Sequence, residues 1–74
     1  MKLSDLSKNS LAIIKSNDIK DPNLKRHLLE MGFVVGTQIK VIRYSKDKQI
    51  ITLRLRDYEI SLSKDILDDI MVSL

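Results

Sequence analysis

The sequence contains no cysteine and no tryptophan, and it has only two glycines and one proline among 74 residues. Without cysteine the chain can form neither disulfides nor zinc–thiolate or iron–sulfur sites, which fits a reducing compartment. Its apolar runs are only a few residues long, too short for a membrane span, and the first residues lack the apolar core of a secretion signal. We therefore expect a cytoplasmic protein that does not insert into a membrane.

The composition is typical of one small globular domain. Hydrophobic residues make up 43% of the chain, which is too many for a disordered segment. A chain of this length has room for a single core, so we predict one domain over residues 1–74.

Charge is distributed unevenly along the chain. The net charge is +2 over residues 1–39, +5 over residues 40–56 and −4 over residues 57–74. Such a distribution can orient an approaching partner. An equally good explanation is that the basic side chains keep strand edges soluble.

The clearest local pattern predicts a helix over Asp21–Met31. Asp21 can accept hydrogen bonds from the amides of the first turn, and Pro22 needs no donor at that position. Apolar residues recur at the i, i+4, i+7 spacing of one helix face: Leu24, Leu28 and Met31. Gly32 can adopt the positive φ that ends a helix, and Phe33 can then fold back to complete a Schellman motif.

Alternating apolar residues between polar turns predict five short strands: Leu11–Lys15, Gln38–Ser45, Gln49–Arg56, Tyr58–Leu62 and Ile70–Val72. Asn9 suits a left-handed turn, and Lys46–Lys48 is predicted to form a hairpin tip. Single helical turns are predicted near the N-terminus, capped by Ser4, and before the last strand, capped by Ser63. Short strands with tight connections favour a mainly β barrel, because closure removes unpaired edges. Nine apolar residues are predicted to form its core: Leu24, Leu28, Met31, Phe33, Ile51, Leu53, Leu55, Ile60 and Leu62.

The predicted helix and the turn after it carry a spaced motif. Residues 26–37 have the pattern Arg-x-x-Leu-Glu-Met-Gly-Phe-x-x-Gly-Thr, and further matching segments are Leu3–Leu6, Ile60–Asp65 and Ile70–Val72. In these segments, which follow one another in the expected order, the sequence resembles the FeoA family of small proteins of bacterial ferrous-iron transport. The resemblance implies a five-stranded SH3-like barrel with one short α-helix inserted between the first two long strands.

The resemblance also implies a partner. FeoA proteins act beside FeoB, a membrane iron transporter that carries a cytosolic GTP-binding domain, so binding to a FeoB-like transporter is the implied role. Iron would then be handled by that partner, and no cofactor is expected in this chain.

The residues themselves do not favour catalysis or metal binding. The only histidine is His27, and both glycines are needed as backbone turns, so neither a nucleophile elbow nor a phosphate-binding loop can be assembled. His27 and Glu30 lie three residues apart on the predicted helix and are weak metal-ligand candidates. A divalent metal site usually needs three or four ligands, so we predict no metal site.

Candidate partner contacts are residues predicted to project from the surface. Leu29 lies away from the apolar stripe of the helix, and Arg26 lies beside it. Arg54 and Arg56 share the solvent side of one strand, with Arg43 on the strand before. Ordinary solvated surface explains these side chains as well.

Two other functions remain open at this stage. One is a nucleic-acid-binding barrel that uses its basic central segment. Aromatics are only 4% of residues and the last third is acidic, so we do not expect a nucleic-acid partner. The other is a metal-sensing module that depends on His27. Self-association through an exposed strand edge is possible in either case.

Overall fold

Five antiparallel strands form one sheet in the computed structural model, which describes residues 1–74. The strands are β1 (Leu11–Asn17), β2 (Gln38–Tyr44), β3 (Ile50–Leu55), β4 (Tyr58–Ser63) and β5 (Ile70–Ser73). The helices are α1 (Pro22–Glu30) between β1 and β2, α2 (Lys64–Leu67) between β4 and β5, and a 3-10 turn at Leu3–Asp5. The mainly β prediction with one inserted helix and two single helical turns is therefore confirmed. No helix combines the length and the apolar surface needed to cross a bilayer.

The strands are hydrogen-bonded in the order β4-β3-β2-β1-β5, so β4 and β5 lie at the two ends of the sheet. The register shifts within β1 between Ile14 and Ser16, and within β2 between Val41 and Arg43. Bulges of this kind bend a sheet and increase its twist, which lets a five-stranded sheet curl around one core. The N-terminal segment runs along the free edge of β5, where the Val72 amide donates to the Met1 carbonyl at 2.8 Å.

The interior is one cluster of fifteen buried apolar side chains, contributed by four strands (β1, β2, β3 and β5), by both α-helices, by the segments on either side of α1 and by the N-terminal turn. Five of the predicted core residues are fully buried: Leu28, Phe33, Ile51, Leu53 and Leu55. The other four are half-buried and pack against this cluster: Leu24, Met31, Ile60 and Leu62. The core is completed by residues that the prediction left out: Leu3, Leu6, Ala12, Ile14, Ile19, Ile39, Val41, Leu67, Ile70 and Val72.

Helix α1 begins and ends as its local sequence predicts. The Asp21 carboxylate accepts hydrogen bonds from two amides of the first turn, with oxygen–nitrogen distances of 2.9 and 3.4 Å. At the other end the Phe33 amide donates to the Leu28 carbonyl at 3.0 Å, and the Gly32 amide donates to the Leu29 carbonyl at 3.1 Å. Gly32 has a φ of +108°. These two bonds define a Schellman motif, so the predicted helix stop is confirmed.

Neither of the two serines predicted as caps forms a capping hydrogen bond. Ser4 lies inside the 3-10 turn rather than before it, and its hydroxyl donates to the Asp68 carboxylate. Ser63 does occupy the N-cap position of α2, but its side chain makes no capping hydrogen bond. A serine can cap a helix only if its hydroxyl is not engaged elsewhere, and Ser4 is held by a residue far away in the sequence.

Two predictions about β3 also need correction. Arg56 was assigned to the strand but lies in the turn to β4, with a φ of +55°. Alternation along β3 also predicts that Thr52 faces solvent beside Arg54; it does lie on the outer face, yet it is only 7% exposed. Its hydroxyl lies 2.7 Å from that of Ser61, and because Thr52 and Ser61 are paired across two adjacent strands, this hydrogen bond stabilises their packing.

Candidate functional site: a basic groove on the outer face of the sheet

One row of side chains crosses four strands on the outer face of the sheet. Lys40 in β2 pairs with Leu11 in β1 and with Arg54 in β3, and Arg54 pairs with Glu59 in β4. The chain neighbours of Lys40 and Arg54 on both sides are buried apolar residues. Because successive strand residues point to opposite faces, Lys40 and Arg54 must point outward.

This row borders a shallow groove of about 160 Å³. We call it the basic groove, and its lining residues are Leu11, Gln38, Ile39, Lys40, Arg54 and Arg56. Leu11 is 51% exposed at one side of it. Three cations and a half-exposed leucine therefore share one small concave surface.

None of the three cations of the basic groove forms a salt bridge, although Glu59 stands opposite Arg54 in the ladder between β3 and β4. The structure contains one salt bridge, between Lys64 and Asp68 at 3.3 Å, and neither residue lies in the groove. Lys40 and Arg54 stand directly opposite each other in the ladder between β2 and β3. Like charges in this position destabilise a sheet, by up to about 1 kcal/mol on the scale of cross-strand pairs.

Arg56 connects the groove to the end of α1. A Cβ atom added to Gly32 would lie 3.5 Å from the Arg56 Nε atom, so the guanidinium passes directly over this buried glycine. Beside it, the Tyr58 hydroxyl donates to the carbonyl of Met31, the C-cap residue of α1. Carbonyls at a helix C-terminus carry partial negative charge, which favours a cation here.

The structure brings some of the predicted contact residues together and leaves others apart. Arg54 and Arg56 line the basic groove. Arg43 is exposed and pairs with Thr52, one row along the same outer face from Arg54. Arg26 and Leu29 are exposed on α1 and do not line the groove, and the Arg26 guanidinium donates to the Asn23 side chain at 3.3 Å.

The sequence predicts strands that begin at Leu11 and Gln38 but does not mark either residue as a contact, and it includes Lys40 only within the basic central segment. For Leu11 a signal was present in the sequence. In Leu11–Ile14 the strand alternation that buries Ala12 and Ile14 leaves Leu11 on the opposite face. The pairing of Lys40 with Arg54 depends on the register between β2 and β3, and the bulge after Val41 makes that register irregular.

The weak metal candidates do not form a site with other ligands. His27 and Glu30 are both exposed on α1. The structure contains no group of three or more histidine, cysteine, aspartate or glutamate side chains placed to hold a metal ion. Two ligands on one exposed helix face fall short of the three or four that a divalent site uses.

A second cleft, of about 350 Å³, lies beside the N-terminal turn and is lined by Ser4, Asp5, Leu6, Ser7, Tyr44, Lys48 and Lys64. Three of its six polar side chains are engaged within the protein: Ser4, Tyr44 and Lys64. The Ser4 hydroxyl donates to Asp68, and this hydrogen bond, with the nearby Lys64 ammonium, lowers the pKa of the Asp68 carboxyl. The Tyr44 hydroxyl donates to a backbone carbonyl, and burial, with the nearby Asp5 carboxylate, raises its pKa. These contacts attach the N-terminal turn to α2 and β2, so we assign this cleft a structural role.

Comparison with known proteins places this fold in a family. The family model described as the FeoA domain matches residues 1–74. The FeoA protein of Chlorobium tepidum is 26% identical, with 97% of this chain and 68% of that chain covered and a TM-score of 0.91. Iron(II) transport protein A of Clostridium thermocellum is 31% identical, with 100% of this chain and 45% of that chain covered and a TM-score of 0.91. No curated protein matches this sequence.

A more distant structure supports the fold assignment. Stenotrophomonas maltophilia FeoA complexed with zinc, described as a prokaryotic SH3 domain protein, is 20% identical, covers 99% of this chain and 89% of that chain, and has a TM-score of 0.87. The SH3-like prediction is thereby confirmed. The family model matches the chain from end to end, solved FeoA proteins share its fold, and the chain therefore belongs to the FeoA family.

Proposed function

We propose that this protein is a non-catalytic accessory module of bacterial ferrous iron transport that binds the cytosolic GTPase region of a FeoB-type membrane transporter. A FeoA domain over the whole chain supports the role in iron transport. The 31% identity to an iron(II) transport protein points in the same direction. The protein would act in the cytoplasm, where that region of the transporter lies.

The observation that carries the binding role is the basic groove. It combines three cations that form no salt bridge within the protein with a half-exposed leucine. Charged groups left unpaired on a surface favour association with a partner of opposite charge. The single histidine is exposed on α1, and no group of three or more potential metal ligands surrounds it.

The direct test is a titration of isotope-labelled protein with the purified cytosolic domain of a FeoB-type transporter, loaded in turn with GDP and with a non-hydrolysable GTP analogue. We expect saturable changes in the amide spectrum with a dissociation constant in the micromolar range or below. An unrelated GTPase domain of similar size and charge serves as the control. Unchanged spectra in both nucleotide states at high micromolar concentrations would reject the proposed function.

A further inference from the structure

We propose that the basic groove is a receptor for an acidic peptide segment of the partner protein, with carboxylates at Lys40, Arg54 and Arg56 and an apolar side chain against Leu11. This inference rests on the proposed function and specifies which surface binds and what kind of segment it binds. The partner is identified by its chemistry, which is two or more carboxylates flanking one apolar side chain.

The first argument comes from the contrast between two neighbouring rows of the sheet. Thr52 and Ser61 form a cross-strand pair whose hydroxyls are hydrogen-bonded at 2.7 Å, so this row is satisfied within the protein. In the next row Lys40 faces Arg54 with no acidic residue in salt-bridge contact with either. A carboxylate placed between two such side chains, whose Cβ atoms are about 5 Å apart, would contact both cations and remove their repulsion.

The second argument concerns the arginine side chains. A guanidinium group presents a planar fork of donors that matches the two oxygens of a carboxylate. Arg56 is exposed, but its guanidinium lies over Gly32, a residue with no side chain of its own, and this contact restricts the arginine side chain. A side chain that is already restricted loses less conformational entropy when it binds.

The third argument concerns size and polarity. The volume of the groove, about 160 Å³, is comparable to the roughly 150 Å³ that accommodates a benzene-sized group in a protein. Leu11 lies on one side with half of its surface exposed. One apolar side chain of a partner would cover this leucine, and covering it removes apolar surface from water.

The surroundings of the groove favour an acidic peptide over a nucleic acid. Glu59 stands directly opposite Arg54, and Asp57 follows Arg56 in the turn, so the β4 side of the groove is acidic. These carboxylates would repel phosphates and a partner's carboxylates alike, so any acidic ligand must stay over the three groove cations. A short peptide segment can do so, whereas a continuous phosphate backbone running across the face would pass the carboxylates. No aromatic side chain lines the groove, so there is no platform on which bases could stack.

The test uses two probes, the cytosolic transporter domain and the peptide acetyl-Glu-Glu-Leu-Glu-Glu-amide, with the glutamine version of the peptide as its control. The variant is Lys40→Gln combined with Arg54→Gln. The matched control is Lys20→Gln combined with Lys25→Gln, which removes the same charge from two exposed residues outside the groove. We expect the groove variant to weaken binding of both probes about 10-fold at low salt, whereas the control changes it less than 2-fold.

Three further results are expected if the groove is the receptor. Leu11→Ser should weaken peptide binding, the glutamine peptide should bind far less tightly, and amide shifts should be confined to the groove strands. Lys40→Gln alone should raise the urea midpoint of the free protein, because it relieves the like-charge pair. A lowered midpoint, or peptide shifts outside the groove, would contradict the inference.

The outcomes separate the surface from the function. If the transporter domain binds the wild type and the groove variant equally well, the groove is not the receptor, although the proposed function stands. If the acidic peptide binds in the groove but the transporter domain does not bind, the groove is a receptor for acidic segments and the proposed partner is wrong. Tighter binding of a random-sequence DNA duplex than of the peptide, or occupation of the groove by a second copy of the chain, would overturn the inference.

Discussion

Replacing Gly32 by alanine tests the packing between the end of α1 and the basic groove. Gly32 has a φ of +108°, and an added Cβ would lie 3.3 Å from Leu55 Cδ1 and 3.5 Å from Arg56 Nε. Two separate penalties are therefore expected. One is the backbone conformation, and the other is the displacement of a buried leucine and the arginine above it.

Gly36 provides a matched control, because it has a φ of +93° and no atom within 4 Å of an added Cβ. A left-handed alanine costs about 1–2 kcal/mol, partly offset by the lower entropy of the unfolded chain. We therefore expect Gly36→Ala to lower the free energy of unfolding by about 1 kcal/mol. For Gly32→Ala we add the lower end of the overpacking range and expect a loss of about 2 kcal/mol.

Urea denaturation followed by far-ultraviolet circular dichroism measures both losses. For a domain of this size, with a slope of about 1 kcal/mol/M, the two variants should differ in midpoint by about 1 M. Gly32→Ala should also shift the amide resonance of Arg56, which Gly36→Ala should leave unchanged. Equal losses of stability in the two variants would show that the contact with Leu55 and Arg56 adds nothing to the backbone penalty, and would refute the reasoning.

Three further predictions concern polar contacts. Tyr58→Phe removes the hydroxyl that donates to the Met31 carbonyl and should lower the free energy of unfolding by about 1 kcal/mol, measured in the same urea assay. The pKa of Asp68 is lowered, so the ionised carboxylate stabilises the fold above pH 3.8, the ordinary pKa, and this stabilisation is lost as the pH falls below that value. Ser4→Ala should raise the pKa of the Asp68 carboxyl in an NMR titration, and an unchanged pKa would contradict the assigned cause. Burial raises the pKa of Tyr44 above 10.0, so the protonated hydroxyl contributes to folding stability below pH 10, and this contribution is lost at higher pH. Tyr44→Phe should remove a tyrosinate absorbance component that titrates above 10.0.

The elements that could be predicted from the sequence are those determined by residues close together in the chain. Asp21 caps the first turn of α1 two and three residues ahead, and Gly32 and Phe33 close its last turn with carbonyls three and five residues back. The left-handed conformation of Asn9, with a φ of +70°, also follows from a local preference. The inward side of β3 was predicted because strict alternation needs no knowledge of the neighbouring strand.

Contacts between distant residues were predicted poorly. Ser4 was expected to cap its own turn, but its hydroxyl bonds to Asp68, 64 residues away. Thr52 was expected to face solvent, but the hydroxyl of Ser61 on the adjacent strand helps to bury it. In both cases a polar side chain bonds to a partner that only the folded chain brings within reach.

The sequence alone determined the secondary structure, the family resemblance and the excess of positive charge in the central segment, because each depends on local spacing or composition. The tertiary structure decided which of those charges meet. Register across three strands places Leu11, Lys40 and Arg54 in one row. Arg56 lies in the turn after β3, where its own positive φ brings its side chain beside them. Strand register is set by bulges and by the packing of the opposite face, so no pattern within one strand could have revealed this groove.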